Sequence, residues 1–250
     1  MTAPSWAGGV VAALPYPVIF ATVSGAHLYG FASVDSDLDL RAAHLLPLAE
    51  VIGLRAGPET IQRGGTRDGV EIDLVSHDLT KFIRMMLKPN GYILEQLLSP
   101  LVVASSDTHR ALIDLAPGCV TANHVHHYLG FATSQWGLYQ RSRELKPALY
   151  TLRVLLTGIH LMRTGEIVAD LRQLWEPDLD LPYVPDLIKA KASGEHSTLT
   201  PELVPADRLA ADVHRLGGLL QAARDTTHLP ERATAGDALH DLLVRARLAA

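Results

Sequence analysis

Apolar and polar positions along the chain keep one rhythm up to about residue 105 and another beyond it. Val18 to Val23 is an apolar run rich in β-branched residues, bounded by Pro17 and by Ser24-Gly25, and predicts a buried strand. Gly25 to Ala32 has room for a turn and a short helix. Asp37 to Leu45 opens by alternating acidic and apolar side chains, the period of a strand. Gly57 to Gly69 is rich in turn residues. Val70 to Val75 alternates again, with Val70, Ile72 and Leu74 on one face and Glu71 and Asp73 on the other. Asp78 or Thr80 then caps a helix that runs to about Leu87, and Lys88-Pro89-Asn90-Gly91 stops it. Tyr92 to Leu98 reads as a further helical turn or two, and Leu101 to Ala104 as a last short strand.

Beyond Ser105 only helical periodicity remains, at roughly 107 to 116, 122 to 143 and 147 to 164, with weaker segments near 184 to 192, 201 to 224 and 231 to 248. Strands mixed with helices, followed by helices alone, predict an α+β chain: a small mixed-sheet domain over 1–105 and a helical domain over 106–250.

Composition adds exclusions. The 250 residues are 48% hydrophobic and 20% charged, ordinary for a folded globular chain. No apolar run approaches the ~20 residues that span a bilayer, and Pro15 and Pro17 interrupt the apolar stretch from Val10 to Val23. With no basic residue ahead of that stretch to mark a secretory signal, the chain reads as cytoplasmic and without a membrane partner. Cys119 is the single cysteine, which excludes an internal disulfide and argues against a Cys-based zinc site. The net charge of −5 argues against a surface coated for non-specific nucleic-acid binding. Basic residues nonetheless exceed acids between Tyr139 and Arg172.

The candidate chemistry lies in the acids. On a strand, Asp37 and Asp39 point to one face, about 7 Å apart along the chain. Carboxylates so placed repel each other unless a cation lies between them. Magnesium takes oxygen ligands and commonly combines one or two carboxylates with substrate phosphates. Leu38, Leu40, Ile72 and Leu74 anchor both alternating segments on a core, which leaves Asp73 as the natural third acid of a two-metal site. A D-x-D pair at a strand end is, against that, often a solvated edge.

The segment from Ser24 to Arg41 resembles the signature of nucleotidyltransferases in the DNA polymerase β superfamily, in the group associated with RNA repair. The similarity continues through Asp73, His77 to Phe82, Lys88-Pro89-Asn90, Glu95 and Ser99-Pro100, and returns weakly at Tyr128 to Ala132 and Lys146 to Arg153. It covers about residues 18 to 165. The resemblance implies a nucleotidyltransferase domain over 1–105. It implies two magnesium ions on Asp37, Asp39 and Asp73, and transfer of NMP from an NTP to an acceptor hydroxyl. Ser24, Gly25, His27, Ser36, Lys146 and Arg153 are the candidate nucleotide contacts, with Arg153 equally suited to an interior salt bridge. An RNA end is the first acceptor, a small molecule the second, and a non-catalytic nucleotide-binding module or a metal-dependent phosphodiesterase the readings of other classes. One departure stands out: Gly25-Ala26 replaces the usual Gly-Ser, whose serine helps hold the triphosphate.

Other features are read as structural. His124, His126 and His127 have no carboxylate at ligand spacing, and Trp136 and Tyr139 at helical spacing read as core. Tyr29 reads as packing, Glu95 as a local structural acid, and Arg141 with Arg143 as a solvated helix end.

Overall fold

The computed structural model describes residues 4–174, 179–194 and 197–249. They form two compact units between which the chain passes more than once. One comprises Met1–Gly25, Asp37–Val120 and Arg232–Ala250, the other Ala26–Ser36 and Thr121–Glu231. The sequence suggested a single boundary near residue 105; the units interleave because a loop and a C-terminal helix each leave the half in which their sequence neighbours lie.

The first unit is built on a five-stranded mixed sheet. Its strands are β1 (Val18–Val23), β2 (Leu38–His44), β3 (Thr60–Arg67), β4 (Val70–Asp78) and β5 (Val102–Ala104), in the order β3-β4-β2-β1-β5. Only β2 and β4 run parallel; the other pairings are antiparallel. β1 is covered on both faces, which is why it reads as an unbroken apolar run. One face of the sheet presents Ala21, Val23, Leu38, Leu40, Ala42, Ile72 and Leu74, packed with Ala7 and Val11 of α1 (Ala7–Ala12) and with Leu14.

On the opposite face Phe20 meets Phe82 edge-on and stacks on His109 at 4.6 Å, from α4 (Leu79–Met86) and α6 (Asp107–Leu115). The Asp78 carboxylate caps α4 by accepting from the Thr80 amide at 2.9 Å, as the sequence pattern predicts. Leu79, Phe82, Ile83 and Met86 form the buried stripe of that helix. The same Asp78 is ion-paired by Arg247 of α12 (Gly236–Leu248), which ties the end of the chain to the sheet unit.

β3 is one element that periodicity missed. It pairs with β4 without interruption from Thr60 to Arg67, yet residues 62–67 are exposed. A strand exposed on both faces shows no alternation of hydrophobicity, and its order comes from the backbone ladder. α3 (Leu48–Ile52) was missed for a similar reason, since none of its residues is buried.

The second unit is helical. α8 (Leu145–Thr164), buried along most of its length, packs against α7 (His124–Ser142) and α11 (Ala206–Thr226). Residues 26–36 belong here. Tyr29 and Phe31 both meet Tyr150 edge-on, and the Arg153 guanidinium lies 3.8 Å from the Tyr29 ring centre. The buried Lys191, at the end of α10 (Val184–Lys191), donates to Ser33 Oγ at 2.8 Å. Ser33 Oγ in turn lies 2.9 Å from Ser36 Oγ. No helix among the described residues is long and apolar enough to cross a membrane.

Candidate active site

Three stretches of the first unit meet at the end of β1. β2 and β4 run side by side in a register that sets Asp39 directly against Asp73, so both carboxylates leave the same face of the sheet. That face is opposite the one on which Leu38, Leu40, Ile72 and Leu74 are packed. The chain leaving β1 closes over Asp39: the Ser24 amide donates to the Asp39 carbonyl at 2.8 Å. Gly25 follows at φ +61°, and a Cβ built on it would stand 1.8 Å from Asp39 Oδ2. Glycine is therefore required here twice, for the left-handed backbone and for the approach of the carboxylate. The Ser24 hydroxyl is buried and has no hydrogen-bond partner among the described residues.

Arg41, two residues along β2 on the face of Asp39, binds both acids. Its Nη2 donates to Asp39 Oδ1 at 2.7 Å and to Asp73 Oδ2 at 2.9 Å. Its Nη1 donates to the carbonyls of Leu40 at 3.0 Å and Asp73 at 2.8 Å, and its Nε to Tyr92 Oη at 3.0 Å. Tyr92 comes from α5 (Gly91–Leu97). Burial works against the Arg41 charge, but Tyr92, Asp39 and Asp73 more than offset it and the guanidinium is held firmly protonated. The Arg41 side chain is 11% exposed and that of Asp73 50%, so the cluster is closed on the arginine side and open at Asp73.

Asp37 differs from expectation in one respect. β2 begins at Leu38, so Asp37 precedes the ladder instead of sharing its pleat. It is half-buried and makes no ion pair among the described residues. The turn from Ser33 to Ser36, closed by the Ser36 amide on the Ser33 carbonyl, ends immediately before it.

The donor set suits a hard divalent cation, since it offers carboxylate oxygens from adjacent strands. Among the described residues no three His, Cys, Asp or Glu side chains stand grouped as metal ligands, and Arg41 is the cation that neutralises Asp39 and Asp73. Arg41 stood in the sequence motif without a role, and Tyr92 was not singled out at all. Nothing local in a sequence says that a tyrosine fifty-one residues away receives the arginine Nε.

The remaining candidates fall in the second unit. His27 lies half-buried in α2 (Gly25–Tyr29), Ser36 is buried in the Ser33–Lys191 network, and Lys146 opens α8 half-buried. Arg153 is 2% exposed, with its guanidinium over the Tyr29 ring. Ala26, where the related signature has serine, is buried. His124 is buried with Nδ1 at Thr121, and burial holds its pKa down at about 4, as befits a neutral packed ring. Tyr139 is buried and Trp136 stacks on it at 5.0 Å. Glu95 is buried in α5.

The RlaP family, described as the RNA repair pathway DNA polymerase beta family, matches residues 9–245, and the chain belongs to that family. An uncharacterized protein of Methanocaldococcus jannaschii is 33% identical over 154 residues, which is 61% of this chain and 63% of that protein. The matched region thus spans about 63% of the length of this curated relative. A crystal structure of a nucleotidyltransferase-like protein from Exiguobacterium sibiricum 255-15 aligns over 86% of this chain and 72% of its own, at 16% identity and a TM-score of 0.32.

Proposed function

We propose that this chain transfers a nucleoside monophosphate from an NTP to an acceptor hydroxyl and releases pyrophosphate, with an RNA end as the favoured acceptor and a small molecule as its alternative. The observation that carries the reading is the Asp39–Asp73 pair, set face to face by the β2–β4 register beside the Gly25 turn. Asp37, Asp39 and Asp73 would hold two magnesium ions, which supply charge neutralisation on the phosphates and a more acidic acceptor hydroxyl.

The chain's own residues do the rest. Arg41 keeps two like charges together at neutral pH and fixes their spacing through the Asp73 carbonyl. Gly25 leaves the approach to Asp39 free of a side chain. Asp73, the more exposed acid, accepts the proton of the attacking hydroxyl. The hydroxyl oxygen bonds to the α-phosphorus as the bond from that phosphorus to the bridging oxygen breaks, and pyrophosphate carries away the electron pair. Most of the acceleration in such a step is positioning and charge stabilisation.

Calorimetric titration of magnesium with each NTP tests the reading on the parent and on Asp37→Ala. The variant is expected to bind at least about tenfold more weakly, and equal affinity would remove the metal-site assignment. Pyrophosphate release that continues unchanged in Asp73→Asn would remove the role of Asp73. The buried Ala26 supports one competing reading, a nucleotide-binding module without turnover. Release of labelled pyrophosphate from any NTP by the parent decides against it.

A further inference from the structure

We infer that the exposed edge strand β3 is the acceptor side of the site, and that Gly64 keeps open the lane along which the 3′ end of a polynucleotide reaches Asp73. The inference rests on the transfer reading above and adds where the acceptor lies.

The argument starts from two glycines where a strand disfavours them. Gly64 and Gly65 stand in the middle of β3, and glycine inside a strand loses side-chain packing and carries a large entropy penalty. Such a glycine normally serves a bulge, a left-handed backbone, a close approach by the chain itself, or a close approach by a ligand. The first three are absent at Gly64. The β3–β4 register is continuous on both sides of it. Its φ is not in the left-handed region. A Cβ on it would find only the Ile72 carbonyl, at 3.9 Å. The chain makes no demand for glycine there, nor at Gly65; what sets Gly64 apart is its place in the sheet.

Register says which ligand. Gly64 pairs with Asp73, and Asp73 pairs with Asp39 on its other side. Directly opposed residues share a face of the sheet. One row across three strands therefore reads Asp39, Asp73, Gly64, with the carboxylates at one end and bare backbone at the other. Asp39 is flanked by Gly25 and Arg41, while the Asp73 side chain is half exposed and Gly64 is its neighbour in the row. On the same face of β3, Gln62 opposite Val75 and Thr66 opposite Glu71 are exposed and flank the gap with uncharged hydrogen-bonding groups. β3 is an edge strand of the sheet. A surface of bare backbone, an amide and a hydroxyl beside an acid that accepts a proton suits a sugar–phosphate chain end, where the attacking group is a ribose hydroxyl.

Gly64→Val tests this, with Gly65→Val as its control. Valine favours a strand at both positions. The Gly65 side chain would leave the opposite face, opposite Ile72, where a Cβ meets nothing within 4 Å. Each protein is titrated with a 5′-labelled single-stranded oligoribonucleotide bearing a free 3′ hydroxyl, by fluorescence anisotropy without metal. Each is titrated separately with manganese–ATP, and its melting temperature is recorded. Gly64→Val is expected to keep or raise the melting temperature and to bind manganese–ATP within about twofold of the parent. It should weaken oligoribonucleotide binding by about tenfold or more, and Gly65→Val should leave all three near parental values. Equal oligoribonucleotide binding by Gly64→Val and the parent overturns the inference, as does equal weakening by both valines. A parent that binds manganese–ATP but no oligoribonucleotide also overturns it. A parent that fails to bind manganese–ATP removes the transfer reading itself, and the two failures are thus read in different titrations.

Discussion

Removal of the Arg247 guanidinium should unfold the sheet unit at a markedly lower temperature. Arg247 and Asp78 have side chains 6% and 3% exposed. Arg247 Nη2 reaches both Asp78 oxygens, at 2.7 and 2.6 Å, and Thr80 Oγ1 at 3.0 Å, while Nη1 donates to the Leu46 carbonyl. In Arg247→Met, Asp78 keeps the amides of Thr80 and Leu46 but loses its counter-charge inside the protein. Loss of one partner of a buried pair costs about 3–5 kcal/mol, because the remaining charge is stranded. For a cooperative unit of this size each kcal/mol moves the midpoint by roughly 3–5 °C, so the variant should melt on the order of 10–20 °C lower at pH 7. Differential scanning calorimetry reads this directly.

The pH dependence supplies the sign. Burial raises the Asp78 pKa, but Arg247 and the Leu46 and Thr80 amides outweigh it, so the folded value lies below the ordinary 3.8. The contribution of the pair is therefore complete above that ordinary value and is lost as pH falls through the folded one. The gap between parent and variant should narrow as pH is lowered from neutrality toward that range. Addition of Asp78→Asn to Arg247→Met removes the stranded charge and should recover part of the loss. A variant that melts within about 2 °C of the parent at pH 7 would refute the reasoning.

Gly25→Ala should displace Asp39 and strain a left-handed backbone, with a cost of about 1–3 kcal/mol and loss of magnesium–NTP affinity in calorimetry; full affinity in a normally folded variant would be contrary. His124 has its pKa held down to about 4, by burial first and by the His127 charge as well, so the unfolded chain binds a proton there before the folded one does. The helical unit should accordingly lose roughly 3 kcal/mol between about pH 6.5 and pH 4. His124→Asn should flatten that part of a plot of melting temperature against pH.

Much of the architecture was legible because each element carries a local cause. Val18–Val23 is a run of β-branched and apolar side chains, Asp78 caps α4 two residues ahead of Thr80, and α7 and α8 keep helical periodicity for about twenty residues. The acids that face each other were legible for the same reason, since Leu38, Leu40, Ile72 and Leu74 commit the alternate positions of two strands to the core. β3 was hidden because an exposed strand needs only a backbone partner, and backbone pairing leaves no mark in side-chain pattern.

By itself, then, the sequence determined which residues are apolar at strand or helix spacing, and with that the elements, the mixed class of the fold and the acids free to leave the core. Tertiary structure alone decided that Asp39 stands against Asp73, that Arg41 joins them with Tyr92 behind it, that Gly64 lies in the same row, and that Arg247 returns to Asp78. Those are register and long-range contacts. They depend on how separate segments are brought together, and a one-residue slip of β4 against β2 would turn every one of its side chains to the other face while its sequence stayed the same.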